Sequence, residues 1–357
     1  MIPGAARGLL LAAALAALGC MNTTELAEWR PDSGGPDAGG DDTIVMDCSG
    51  CPAEGADVAN LRCAIDLCDP AVVLNGDGEY VAVTEYRLGV EQSCTVDDTR
   101  AAIARFGEAG NDLGSKLNVS YAVMATGDWD APAHSTSCSP LPEEDVGSDG
   151  LSYDANETGD AEYPIYDAVE WKLALRAPED ARSFSFDYVF FSTEYDEWIV
   201  GDHNDKFYAT IEAASTAGGA ATVINFTACR DDDVYYDFEC TSENAIEQSC
   251  TAGVKYCYIA INSALSECCY YNGCPGGTAE TSIAGTGYDC GTEDDDGTGH
   301  GSSTGWLHTV WPIDGGEEFT LTFHIHDTAD SGWDSAVILD AFEFHRSFHN
   351  GGTIIIE

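Results

Sequence analysis

Two acidic turns hold the residue types best suited to chemistry. The first brings Glu194, Asp196, Glu197, Asp202, Asn204 and Asp205 together directly after the apolar run Phe184, Phe186, Tyr188, Phe190. The second packs Asp327, Asp330 and Asp334 around Ser331-Gly332. Carboxylates this close repel one another unless a cation or a set of donors compensates. Hard oxygen ligands suit calcium, which takes about six to eight of them. The expected site is a calcium ion held by Glu194, Asn204, Asp205, Asp330 and Asp334, with Asp202 and Asp327 in reserve. The alternative is that these side chains are solvated or accept backbone N–H bonds in turns, as Asp and Asn often do.

His324-Ile325-His326 is a second arrangement with chemical potential, since alternate residues of a strand point the same way. Two imidazoles there could share a metal, with Asp327 as third ligand. The same spacing is common on exposed strand faces, and no catalytic residue is assigned. His345 and His349 read as polar surface. Neither HExxH nor a phosphate-cradling glycine loop is present, so a zinc protease or a nucleotide-using enzyme has no motif to stand on. The competing function is a secreted carbohydrate-active hydrolase drawing its acids from the two acidic turns. Trp129, Trp198, Trp306, Trp311 and Trp333 sit in or beside loops, where they either stack on sugars or plug the ends of a sandwich.

The elements that must position these groups read as strands. Phe319, Leu321, Phe323 and Ile325 alternate with Thr320, Thr322, His324 and His326, the pattern of a half-buried strand. In Ser335 to Phe344, Ala336, Ile338, Phe342 and Phe344 fall on one face and Val337, Leu339 and Ala341 on the other, as in an inner strand. Shorter runs at 119–125, 168–175, 183–192, 206–212, 222–227 and 256–262 are punctuated by Gly, Asp, Asn and Pro. Many short strands with turn residues between them predict an all-β, jelly-roll-like β-sandwich. Asp97-Asp98 followed by Ala101 to Phe106 and Gly107 predicts one short N-terminal helix.

At 357 residues the chain can bury a sizeable core, and its 63 acidic against 14 basic residues give a formal charge of −49. That field repels nucleic acid and anionic membrane surfaces and draws divalent cations. Residues 1–19 read as an export signal, with Arg7 ahead of an apolar run from Gly8 to Leu18. Ala17-Leu18-Gly19-Cys20 reads as a lipobox, making Cys20 the lipid-bearing residue that attaches the chain to a membrane. The expected location is exported, at the outer membrane or cell surface. Setting Cys20 aside from the 15 cysteines leaves an even number, all able to pair in an oxidising compartment. They are Cys48, Cys51, Cys63, Cys68, Cys94, Cys138, Cys229, Cys240, Cys250, Cys257, Cys268, Cys269, Cys274 and Cys290. The Cys48-Cys51 spacing lacks the second pair that a zinc site needs.

The predicted organisation is a tether over 20–43, a cysteine-rich cap over 44–95, a sandwich over 96–345 with a disulfide-rich insertion at 229–290, and a tail over 346–357. The tether, rich in Gly, Pro, Asp and Ser, has almost nothing to bury.

Five motifs resemble the choice-of-anchor L domain of bacterial surface proteins. They are Ala125-Thr126-Gly127, Asp167-Ala168-Val169-Glu170, Phe190 to Tyr195, Asn204-Asp205-Lys206-Phe207, and Asp330 to Val337 with its D-x-x-x-D-S-A-V spacing. Their order agrees over roughly Leu67 to Phe344. Thr193 stands where that family usually has a Glu, and the cysteine-rich insertion is unusual for it. The resemblance implies a secreted, β-rich, adhesin-like surface module. Its expected partner is a cell-surface or extracellular matrix ligand, with a glycan as one candidate.

Overall fold

The computed structural model describes residues 42–44, 46, 48, 55–82, 96–108, 113–117, 119–130, 165–195, 205–229, 238–241, 251–260, 267–268, 283–288, 300–328 and 333–356. Cys20, Asp202, Asn204, Asp330, Trp198 and seven of the other cysteines (Cys51, Cys94, Cys138, Cys250, Cys269, Cys274, Cys290) lie outside these residues. No described helix is long and apolar enough to cross a membrane.

Two antiparallel sheets face one another. The first is ordered β12 (Glu267–Cys268), β13 (His300–Ser303), β6 (Ser183–Tyr195), β16 (Ser335–His345), β4 (Tyr121–Ala125), β3 (Arg100–Ile103). Attached to it are β1 (Thr43–Ile44) on β16, β14 (Leu307–Pro312) on β6, and β17 (Gly352–Ile355) on β14. The second runs β10 (Phe238–Glu239), β11 (Lys255–Ala260), β7 (Lys206–Glu212), β15 (Glu318–Thr328), β5 (Ile165–Arg176), β2 (Glu79–Ala82), with β8 (Thr222–Val223) on β7 and β9 (Phe226–Ala228) on β11. Segments on either side of 96–345 therefore contribute strands to the sandwich.

Alternation explains the layering. Phe184, Phe186, Tyr188 and Phe190 of β6 meet Phe319, Leu321, Phe323 and Ile325 of β15 in the main core. Phe184 stacks between Phe319 and Phe342, at 5.3 and 5.6 Å between ring centroids. The intervening residues Val189 and Phe191 join Tyr121, Ile338, Tyr288 and Trp306 in a second core. The first sheet is consequently covered on both faces, as near-continuous apolar runs require.

Three expectations are corrected. In β16 a bulge between Asp340 and Glu343 inserts an extra residue, with Ala341 at φ 49°. Strand parity reverses across it, so Val337 and Leu339 share the main core with Phe342 and Phe344, while Ala336 and Ile338 face the second core. β15 is not half-buried, because Thr322, His324 and His326 are as enclosed as its apolar face. The segment predicted as a helix after Val96 makes a single 3₁₀ turn, Val96–Thr99, and continues as β3. Pairing of Arg100–Ile103 with β4, and of Ala102 with Gly55, overrides the alanine-rich helix signal.

The short helix, α1 (Val58–Ala64), lies earlier in the chain. The Asp57 side chain caps it by accepting from Ala59 N at 3.1 Å, and Leu61, Ala64 and Ile65 enter the main core. Disulfides join Cys48 to Cys68 and Cys229 to Cys257, and Cys63 and Cys240 are disulfide-bonded too.

Candidate metal centre

β6 and β16 lie side by side with Ser192 opposite Ser335, which brings the ends of two remote segments together. Thr193 fastens them, its N–H and hydroxyl donating to the Asp334 carbonyl at 3.2 and 3.1 Å. Glu194 has the strand parity of Phe190 and Ser192, which directs it between the sheets, and it is fully buried. Thr193, which stands where the resembled family usually has a Glu, thus has a structural task of its own.

The facing sheet supplies three more carboxylates. Asp205 immediately precedes β7 with the parity of Phe207, and Asp327 is the penultimate residue of β15 with the parity of Phe323 and Ile325. Both are fully buried. Asp167 sits in β5, where the pairing with β15 shifts register between Ile325 and Asp327, and its φ of 44° accompanies that irregularity. Asp205 ties the sheets together: one carboxylate oxygen accepts from Thr328 N at 3.0 Å and the other from the Ser335 hydroxyl at 2.5 Å.

Asp327 is the group with no such compensation. Neither of its carboxylate oxygens has a hydrogen-bond partner among the described residues. Burial, then the charges of Asp205, Asp167, Asp334 and Glu194, pushes its carboxyl well above the ordinary range. These four charges are all carboxylates. The Tyr288 hydroxyl is likewise buried without a hydrogen-bond partner among the described residues, and burial followed by Asp334, Asp327 and Asp205 raises it well above the usual phenol range. The cluster accordingly has five carboxylates, drawn from both sheets, with a neutral phenol beside them.

Backbone geometry makes room for the cluster. A Cβ on Gly127 would stand 2.1 Å from Asp334 Oδ2, so only glycine lets that carboxylate reach its position. Trp333, just before Asp334, holds φ at 73°, a strained setting for a bulky residue. Thr126 bonds Ser335 through both backbone and side chain, keeping Gly127 in register with Asp334.

Of the seven residues expected at the metal site, Glu194, Asp205 and Asp334 lie near enough to Asp327 for their charges to act on it, whereas Asp202, Asn204 and Asp330 lie outside the described residues. Asp167, Gly127 and Tyr288 were not read as members. Asp167 and Gly127 stood in the quoted motifs, but nothing local says that a strand irregularity and a glycine serve carboxylates 160 and 207 residues away. The cluster lies between the two sheets.

The histidine pair is a different object. His324 Nε2 and His326 Nδ1 are 2.9 Å apart and hydrogen-bonded, with Glu170 3.5 Å from His324 Nδ1 and Tyr208 stacked on His326. Burial, then His324 and Lys206, holds His326 well below the usual imidazole range. Its parity places it opposite Asp327, which removes the carboxylate from any shared ligand set. Trp306 and Trp311 are buried, and Trp311 Nε1 donates to the Thr216 hydroxyl at 3.0 Å, so these two plug the sandwich.

Together, the two facing antiparallel sheets, their disulfides and the carboxylates between them define a β-sandwich. The family model of the choice-of-anchor L domain, a group of surface-associated proteins not known as enzymes, matches residues 178–345, and the match supports the resemblance seen in the motifs. The match spans β6 to β16 and begins after the Ala125 and Asp167 motifs. No curated protein and no solved structure gives a significant match.

Proposed function

We propose that the chain is a non-enzymatic surface lipoprotein, anchored through Cys20 at the outer membrane or cell surface. Its β-sandwich is closed at one end by calcium and presents loops to a cell-surface or matrix ligand. Glu194, Asp205, Asp327, Asp334 and Asp167 supply carboxylate oxygens from both sheets, and Asp202, Asn204 and Asp330 are close enough in sequence to add more. The observation that carries the reading is Asp327, whose two buried oxygens lack hydrogen-bond partners among the described residues while four carboxylates crowd it. An isolated buried carboxylate costs several kcal/mol, roughly, unless a cation or donors offset it. The full burial of Glu194, Asp205 and Asp327 supports holding an ion over contacting a polymer, which weighs against a glycosidase using the same acids.

The test is a melting curve of the full chain in calcium and in EDTA, with Asp327→Asn beside it. Calcium is expected to raise the melting temperature of the wild type by several degrees and to leave Asp327→Asn almost unmoved. Equal melting temperatures for the wild type in calcium and EDTA would overturn the ion. The adhesive role predicts binding on glycan or matrix arrays without release of reducing sugar. Turnover that disappears in Glu194→Gln would favour the hydrolase instead.

A further inference from the structure

At the opposite end of β16, three side chains of different origin meet. His345 closes the strand, His349 lies in the turn beyond it, and Asp42 precedes β1, which pairs Thr43 with His345. One potential ligand atom from each lies within 4.8 Å of the other two. Ser335 and His345 are separated by the length of β16, about 33 Å at the usual rise per residue, so this group is remote from the carboxylate cluster.

We propose that Asp42, His345 and His349 form a binding site for a borderline transition-metal ion such as zinc. Two imidazoles and one carboxylate are a ligand set that zinc accepts, with water as the fourth ligand. Tetrahedral ligands around zinc stand about 3.3 Å apart, so drawing the three inward takes a shift of only about 1 Å.

The backbone holds Asp42 in place before any ion arrives. Its carbonyl accepts from Arg346 N at 2.8 Å, one carboxylate oxygen accepts from Ser347 N at 2.8 Å, and the other accepts from the Ser347 hydroxyl. The rings are oriented as well. His349 Nε2 lies 3.2 Å from Asp42 Oδ2, and the two imidazoles stand edge to face at 5.4 Å. Ser185 bonds His345 Nε2 at 2.8 Å, the kind of outer partner that fixes the tautomer of a ligating ring.

Asp42 keeps 42% of its side chain exposed, giving the ion an entry path.

The experiment is zinc titration of the full chain by calorimetry in saturating calcium, followed by cobalt(II) absorption spectroscopy. The wild type is expected to take up one equivalent more than His349→Ala or Asp42→Asn, and to show visible bands of imidazole-ligated cobalt that both variants lose. Ser185→Ala should keep the equivalent but weaken it by roughly tenfold. Equal zinc stoichiometry and identical cobalt spectra in the wild type and both folded variants would overturn the site. Should either variant fail to fold, imidazole ¹⁵N resonances of the wild type decide: shifts at both His345 and His349 on adding zinc support the site, and unmoved resonances sink it.

Discussion

Asp66 follows α1 with φ at 68°, and both its carboxylate oxygens are buried without a side-chain hydrogen-bond partner among the described residues. Burial, then Asp340 and Glu343, pushes it up to about 8, and burial likewise pushes Asp340 up to about 7. Between the unfolded value near 4 and these raised values, the folded chain keeps protons that the unfolded chain has released. Stability from this pair therefore falls as pH rises from about 4 to about 8 and levels off above that. Asp66→Asn keeps the shape and tolerates a positive φ, so urea unfolding should show a flatter pH profile and a gain of up to about 3 kcal/mol at pH 9. Gly127 supports a prediction of the opposite sign. Its missing Cβ is what admits Asp334, and Gly127→Ala should cost about 1–3 kcal/mol in urea unfolding. Adding Asp334→Ala removes the obstructing oxygen, so the double variant should lose less than the two single losses combined.

At the level of strands, the alternating residues of β6 and β15 and the inner character of β16 were legible in the sequence, because two-residue periodicity survives without knowledge of partners. What could not be read was anything set by pairing. The bulge at Asp340 reverses the parity of Phe342 and Phe344, and no local residue announces it. Likewise Ala101 and Ala102 follow β4 instead of their own helix preference. For the candidate site, acidic density pointed to Glu194, Asp205, Asp327 and Asp334, while Asp167 and Gly127 were hidden because their relevance arises only when the sheets close. The same closing makes Phe184 a test of the sandwich: its ring lies against Phe319 of the opposite sheet and Phe342 of its own. Phe184→Ala should cost about 3–5 kcal/mol in denaturant unfolding, and a loss under 1 kcal/mol would mean that the two layers are not packed through that residue.

Over the whole molecule, a charge of −49 sets the background against which any ion acts. Self-repulsion destabilises the compact state, and salt screens it. The melting temperature in EDTA should climb by several degrees between 10 mM and 500 mM sodium chloride without saturating, whereas a response to calcium at constant salt should saturate. A protein lacking the first response would owe little of its stability to net charge. β1 has a mechanical consequence. Any tension on the residues before Asp42 enters the body through a two-residue strand at the end of β16, held by Arg346 and Ser347. In a force trace that short zipper should peel first at low load, leaving the two-sheet body shut until a much larger rupture, so β1 behaves as a mechanical fuse ahead of a rigid block.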